Sequence, residues 1–556
     1  MARDPEGLTA CPAASGGRRR VRLYDTTLRD GTQGLGFNLT LDDKLSILRK
    51  LDEIGVDYVE GGYPLSNPKD IAFFQETARV PCQTSRLAAF GMTRRKGMTV
   101  EQDPGMQALL ASASPVVTVV GKTWEFHVRE VLGVDLDENL RMIEDTMAFF
   151  SGHGREAIYD AEHFFDAWKA DPVYASRTLH AAVSGGATTL VLCDTNGGSL
   201  PGEVEEAVRE VRAGFDGIEI GIHTHNDGGL AVANALSAVQ AGATQVQGTI
   251  NGVGERCGNV DLIVVAANLG LKMNCEVLGG AASLRRLTEL SRFVDGVADR
   301  DPVRHQPFVG NAAFAHKGGM HVHAVQRNVS TYEHIAPESV GNDRHVVVSE
   351  LSGVSNIQEL LARSLGMRQV KRQTLKEILE AVNRLEKEGY VYEAAEASFD
   401  LLVMRLLGED STFFRVDHYQ SGVFRAEGGA PVTTGLVAVR VDGETSRGTA
   451  EAEDPLSALE AALRHALAAQ YPVLAGVSLN DRKFRAVERP GGRGTRVRVI
   501  TEFTDSDMFW STVALAPNVI DAGLECMVEG FRWYLARQDR RAGVSDDRPA
   551  GGSGRP

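Results

Sequence analysis

Tyr24-Asp25-Thr26-Thr27-Leu28-Arg29-Asp30-Gly31-Thr32-Gln33 reads as the first strong strand of the chain, closed by an Arg-Asp pair. Roughly 190 residues later a second strand ends in His223-Thr224-His225-Asn226-Asp227, a separation that suits opposite sides of one barrel. One carboxylate and two imidazoles at strand ends are what a divalent cation with open coordination positions needs, and an arginine beside them can balance a developing anion. The two runs together point to metal-assisted chemistry at the mouth of a parallel barrel.

Outward from these runs, β-branched segments alternate with helical patterns, the signature of βα units and a parallel sheet. About eight such units can be counted, the number that closes a barrel. The predicted strands are Val21–Leu28, Val56–Gly61, Arg86–Phe90, Pro115–Val120, Glu156–Tyr159, Thr188–Cys193, Ile218–Ile222 and Thr244–Ile250. Between the first two, Thr40 can cap a helix with Asp42 and Asp43 in its first turn and Leu41, Leu45, Leu48 and Leu51 at helical spacing. Similar patterns cover Glu203–Val211 and Gly229–Ala241.

Helical patterns then dominate through Ser283–Val297 and Leu375–Glu388, and alternating segments return at Gly435–Val441 and Thr495–Phe503, separated by helical runs at Asp454–Leu467 and Val519–Leu535. The expected architecture is α/β: a TIM (β/α)8 barrel over 21–280, a helical linker over 281–400 and an α+β domain over 401–540. Tails at 1–20 and 541–556, rich in Gly, Arg, Ser and Pro, read as disordered.

At 556 residues and 43% hydrophobic content the chain exceeds what one core organises, so more than one domain is expected. A net charge of -15 argues against a nucleic-acid groove, which needs clustered Lys and Arg. No apolar run approaches the ~20 residues of a membrane span, and Met1 to Arg20 lacks the apolar stretch of a signal peptide, so a cytoplasmic protein is expected. The six cysteines have no CxxC spacing, which indicates neither a disulfide framework nor a thiolate zinc site.

In such a barrel the chemistry sits where strands run out into loops. Arg29 and Asp30 end the first strand, Glu60 the second, Trp124 and His127 follow the fourth, Asp160 and Glu162 the fifth, and Asp194, Thr195 and Asn196 end the sixth. His223 and His225 alternate to the same side of the seventh. The eighth leads into Asn251-Gly252-Val253-Gly254-Glu255-Arg256-Cys257-Gly258-Asn259, whose glycines let the backbone turn close to a ligand. An HxH pair alone is usually incidental; with Asp30 it leaves room for a bidentate 2-oxo acid and water, Asn259 serving as a further oxygen donor or holding a water. Mg, Mn or Zn each fit. Arg29 can pair with Asp30 or Glu60 and can also steady an alkoxide. Asp194 and Asn196 suit turn chemistry as well as function, Thr195 can bond a small carboxylate, Trp124 reads as packing, and His127 is open.

Further runs carry a resemblance: Gly61-Gly62-Tyr63-Pro64 with Asn67-Pro68-Lys69-Asp70, Gly121-Lys122-Thr123-Trp124-Glu125-Phe126-His127-Val128, Tyr159-Asp160-Ala161-Glu162-His163-Phe164-Phe165-Asp166 and Ala394-Ala395-Glu396-Ala397-Ser398-Phe399. With Arg29 to Gly34 they resemble the acyl-CoA-dependent 2-oxo acid condensing enzymes (2-isopropylmalate, homocitrate and citramalate synthases), relatives of the HMG-CoA lyases. The likeness runs over residues 20 to 540 and is nearest to the longer citramalate synthases. It implies a C-terminal regulatory domain that binds an end-product amino acid, with isoleucine as the expected effector. It also implies metal ligands at Asp30, His223, His225 and Asn259, a catalytic arginine at Arg29, a substrate threonine at Thr195 and a catalytic glutamate at Glu162. A linker histidine at His321, in His316-Lys317-Gly318-Gly319-Met320-His321, commonly reaches the partner's barrel in this family, which implies a homodimer. Leu35 departs from the family pattern, where an acidic or polar residue is expected.

The implied reaction is metal-dependent condensation of acetyl-CoA with pyruvate followed by thioester hydrolysis, with Glu162 and His321 as candidate bases. The same machinery with a larger 2-oxo acid gives 2-isopropylmalate or homocitrate. A lyase suits the regulatory domain less well, and an amino-acid sensor on a dead barrel is disfavoured because no ligand position is lost.

Overall fold

The computed structural model describes residues 18–316 without a gap, and from there to 546 all but 317–320, 322–323, 326, 347–353, 368, 410–411, 426–431, 489–493 and 506–507. The expected tails therefore lie outside the described residues over 1–17 and 547–556. Two compact units form, Met1–Phe314 with His334–Arg344 and Ala315–Glu333 with His345–Pro556, and each is described by itself.

In the first unit eight parallel strands close a barrel: β1 Arg22–Asp25, β2 Tyr58–Gly62, β3 Arg86–Met92, β4 Val116–Lys122, β5 Glu156–Glu162, β6 Thr189–Asp194, β7 Glu219–Thr224 and β8 Gln245–Gly248. The expected TIM barrel is thus present. β1 pairs with both β2 and β8, and β8 pairs with β7. The expectation of opposite sides is therefore wrong: β1 and β7 stand one strand apart, because a closed ring returns its last strands to the first. Alternation along each strand divides the core. Leu23 packs outward with the helices, whereas its neighbour Tyr24 joins Tyr58, Ala88, Val116, Ile158, Val191 and Cys193 inside the barrel.

Helix Leu41–Ile54 begins where the sequence places it. Thr40 accepts from the Asp43 N–H while the Asp43 carboxylate takes the Thr40 N–H, and Gly55 ends the helix at φ +89°. Helices Pro201–Gly214 and Ala231–Ala241 flank β7 as the pattern indicates. β1 stops three residues short of its predicted end. The Asp25 carboxylate captures both the N–H and the hydroxyl of Thr27, and the N–H groups of Arg29 and Gly31 both donate to the Thr26 carbonyl. This turn lifts Arg29 and Asp30 off the strand and onto the rim. Conversely, Asp160 lies within β5 rather than after it and Glu162 is the last residue of that strand, while Glu60 lies within β2. The strands run on because the Glu60 and Asp160 carboxylates find partners inside the barrel.

Two residues of the expected tail are attached to the barrel: Arg19 donates to the Val239 and Ala243 carbonyls, and Arg20 bridges to Glu276.

The second unit carries helices Val354–Ser364, Arg372–Glu388 and Glu396–Leu406, followed by two β-β-β-α repeats. Strands Arg415–Phe424, Val432–Val441 and Glu444–Ala452 form one antiparallel sheet with helix Pro455–Leu467. Strands Ser478–Glu488, Thr495–Thr504 and Phe509–Ala516 form the other with helix Val519–Asp546. Among the described residues no helix is long and apolar enough to cross a membrane.

Candidate active site

Asp30, His223 and His225 meet at the C-terminal rim, all three buried. Asp30 Oδ2 lies 3.3 Å from His223 Nε2 and 4.0 Å from His225 Nε2, and one ligand atom from each residue falls within 4.8 Å of the others. The two imidazoles lie side by side, ring centres 5.2 Å apart, as same-face residues two apart should. Burial works against ionising Asp30, but the Arg29 guanidinium and His223 hold its carboxyl well below the usual carboxylate range. Burial, together with the charge of His223, pushes His225 down to about 4. The Asp30 carboxylate and the neutral His225 imidazole are forms that ligate a cation; His223, which burial lowers but Asp30 raises overall, would give up its proton to one.

Two observations bear on whether a cation fits. Asn259 pairs with His225 through an isolated β-bridge, and its Oδ1 is buried with no hydrogen-bond partner among the described residues, while its Nδ2 donates to the Val253 carbonyl at 3.2 Å. An amide oxygen left bare in this way is expensive unless an electrophile meets it. The chain also approaches it closely: a Cβ on Gly254, at φ +154°, would stand 2.3 Å from Asn259 Nδ2. The second observation concerns His223, whose Nδ1 lies 3.0 Å from Gln247 Oε1, while Gln247 Nε2 donates to Asp160 Oδ1 at 3.1 Å. With the amide N–H side turned to Asp160, its carbonyl takes the proton on Nδ1, and Nε2 of His223 is directed at Asp30. The donor set suits a divalent cation.

Arg29 makes both pairings the sequence allows. Its Nε donates to Glu60 Oε2, its Nη1 lies 3.6 Å from Asp30, and its guanidinium sits 3.8 Å over the Phe90 ring. Glu60 is fully buried and also accepts from the Tyr24 hydroxyl at 2.8 Å. Nearby, burial and then the charge of Glu60 push Asp160 up to about 7.

On the other side of the rim, Thr195 Oγ1 accepts from the His163 N–H at 2.9 Å, which leaves the threonine's own proton to donate. Asp194 accepts from the N–H and hydroxyl of Ser199, a local turn, whereas Asn196 donates to Asp166 in the helix after β5, which ties two rim segments together. Trp124 stacks on His127, and His127 lies 4.3 Å from His163 ring to ring with its Nδ1 buried and unpartnered among the described residues. Glu162 is ion-paired with Lys122. His321 belongs to the second unit, where it is exposed and its ring stacks 4.2 Å from Tyr332. Leu35 is fully exposed in the loop after Asp30.

Sequence reasoning missed Gln247, His163 and Lys122. Two glutamines two residues apart in β8, Gln245 and Gln247, were the available signal for the first, and a lysine ending β4 for the last.

Residues 20–294 match the HMGL-like family and residues 308–389 the homocitrate synthase post-HMGL domain-like family. The chain is 45% identical over 524 residues to an (R)-citramalate synthase of Geobacter sulfurreducens, covering 94% of this chain and 99% of that one. It is 45% identical to one of Synechocystis sp. over 92% of this chain and 96% of that one, and 44% identical to one of Aquifex aeolicus over 94% and 98%. With its HMGL-like barrel and full-length likeness, this chain belongs to the (R)-citramalate synthase family.

Proposed function

We propose that the chain joins acetyl-CoA to pyruvate and hydrolyses the resulting thioester, releasing (R)-citramalate and CoA. The observation that carries this reading is the convergence of Asp30, His223 and His225 beside the bare Asn259 oxygen, in a chain alike over its length to (R)-citramalate synthases. These four residues would hold a divalent cation, Mg, Mn or Zn, which when bound supplies Lewis acidity toward a 2-oxo acid. Arg29, fixed by Glu60 and Phe90, offers charge to an oxygen becoming an alkoxide. Thr195 donates its hydroxyl proton to the substrate carboxylate. The single proton leaving the acetyl methyl group passes to the Glu162–His321 pair, His321 coming from the partner of a homodimer. The carbanion adds to the keto carbon, the alkoxide gains a proton, and water cleaves the thioester, so one acetyl-CoA, one pyruvate and one water yield citramalate and CoA.

The second unit serves feedback in this reading, with isoleucine as effector. A cavity of about 1,100 Å³ within it supports this, since its lining combines the charged Arg405, Arg415, Glu525 and Glu529, with Arg405 and Glu529 paired at 3.2 Å, and the apolar Leu402 and Val528, a mixture suited to a zwitterion with an aliphatic side chain.

Thiol release measured with pyruvate, 2-oxoisovalerate and 2-oxoglutarate, with and without a chelator, tests the reading. Pyruvate should be turned over fastest and the chelator should abolish release; pyruvate as the poorest of the three, or release indifferent to chelator, would overturn it.

A further inference from the structure

We propose that Lys122 is a positioning residue of the active site, its ammonium holding one oxygen of Glu162 so that the other is presented to the reacting acetyl group. The inference rests on the reading of Glu162 as catalytic. Lys122 and Glu162 are the last residues of β4 and β5 and stand opposite each other in the register of these two strands. The ammonium meets Oε2, and the side chains are only 13% and 23% exposed. Among the described residues, each is the other's single ion-pair partner.

The sequence is arranged to bring these strand ends together. Lys122 ends a strand that otherwise reads Val-Val-Thr-Val-Val-Gly, and an ammonium so enclosed needs its carboxylate. Gly121 precedes it, and a Cβ there would meet the Tyr159 ring at 2.7 Å, so glycine is what lets the rims of β4 and β5 approach. Behind the rim, the Lys122 carbonyl accepts from Asn139 Nδ2 at 2.8 Å, and the same fully buried amide donates to the Tyr174 hydroxyl at 2.9 Å. The strand end is therefore anchored to helix Leu136–Gly152 and does not drift with the loop that follows. His127 lies within the field of both charges, next to His163, whose N–H holds Thr195.

A pair that merely ties two strands together would affect folding, whereas a positioning pair affects turnover. The experiment compares Lys122→Met, Lys122→Arg, Glu162→Gln and the Lys122→Met/Glu162→Gln double variant as full-length, metal-loaded enzyme, with kcat and KM for both substrates and thermal melting. Lys122→Met should lower kcat about 10- to 100-fold with KM for pyruvate within about 2-fold, since small misplacement of a reacting group has losses of this size. Lys122→Arg should restore most of it. In the Glu162→Gln background, Lys122→Met should add less than about 2-fold, because coupled residues are not additive. A Lys122→Met enzyme at wild-type kcat beside an inactive Glu162→Gln, or fully multiplicative losses in the double variant, overturns the role of Lys122 and leaves Glu162 standing. An active Glu162→Gln enzyme instead removes the reading of Glu162 itself. If Lys122→Met does not melt cooperatively, Lys122→Gln, of similar length and polar, is judged by the same criteria.

Discussion

At Gln247 a single amide decides which nitrogen of His223 is available. Its N–H side is committed to Asp160 and its carbonyl to Nδ1, leaving Nε2 directed at Asp30. Gln247→Leu should therefore weaken divalent-ion binding about 10- to 100-fold in a direct titration; unchanged affinity would refute this role. Arg29 is held by its planar fork, Nε on Glu60 and Nη1 near Asp30, with Phe90 covering its face. A lysine reproduces neither the fork nor the stack. Arg29→Lys is expected to reduce kcat about 100-fold or more with little change in metal content, and a near-wild-type kcat would count against it. The His223 and His225 pair was legible in the sequence because period two places both rings on one face. Gln247 and Lys122 were not, because only the closed register of the barrel shows what a polar residue in a strand touches.

Among the elements, the turn after β1 determines whether the rim forms. Asp25 is fully buried, held by Thr27, and Thr27 Oγ1 in turn accepts the Ile250 N–H beyond β8. Burial, though opposed by the Thr27 hydrogen bonds, pushes the Asp25 carboxyl from 3.8 to about 7. The native state thus keeps a proton that the unfolded chain has released between these values, so this group's contribution to stability falls as pH rises across that window, by up to about 4 kcal/mol. Asp25→Asn lacks this slope: its melting temperature relative to wild type should be higher at pH 8 than at pH 5, and a constant difference would contradict the assignment. At the far side of the rim, Gly254→Ala places a methyl group against the Asn259 amide and should lower metal affinity and kcat together, which metal titration of the variant checks. Loop chemistry explains why β1 was read too long: its β-branched residues suit a strand, but Asp25 and Thr27 bond each other locally. In the second unit the strands Gly435–Val441 and Thr495–Phe503 were legible because one face alternates into the core. The outer strands Arg415–Phe424 and Ser478–Glu488 were not, since most of their residues are exposed and no alternation results.

For the molecule as a whole, the division of labour follows from topology. A closed barrel brings residues remote in the chain, Asp30 near one end of the strand order and His223 near the other, to neighbouring positions, because the last strand pairs with the first. The order of the elements was readable from periodicity. Which rim positions become neighbours was not, since ring closure alone decides it. The direct measurement is titration of Mn²⁺ into the metal-stripped full-length protein and into its Asp30→Asn, His223→Asn and His225→Asn variants. One tight site per chain in the wild type, lost or weakened by at least about 10-fold in every variant, is the expected result. Wild-type stoichiometry and affinity in all three variants would contradict the convergence of these residues on one ion.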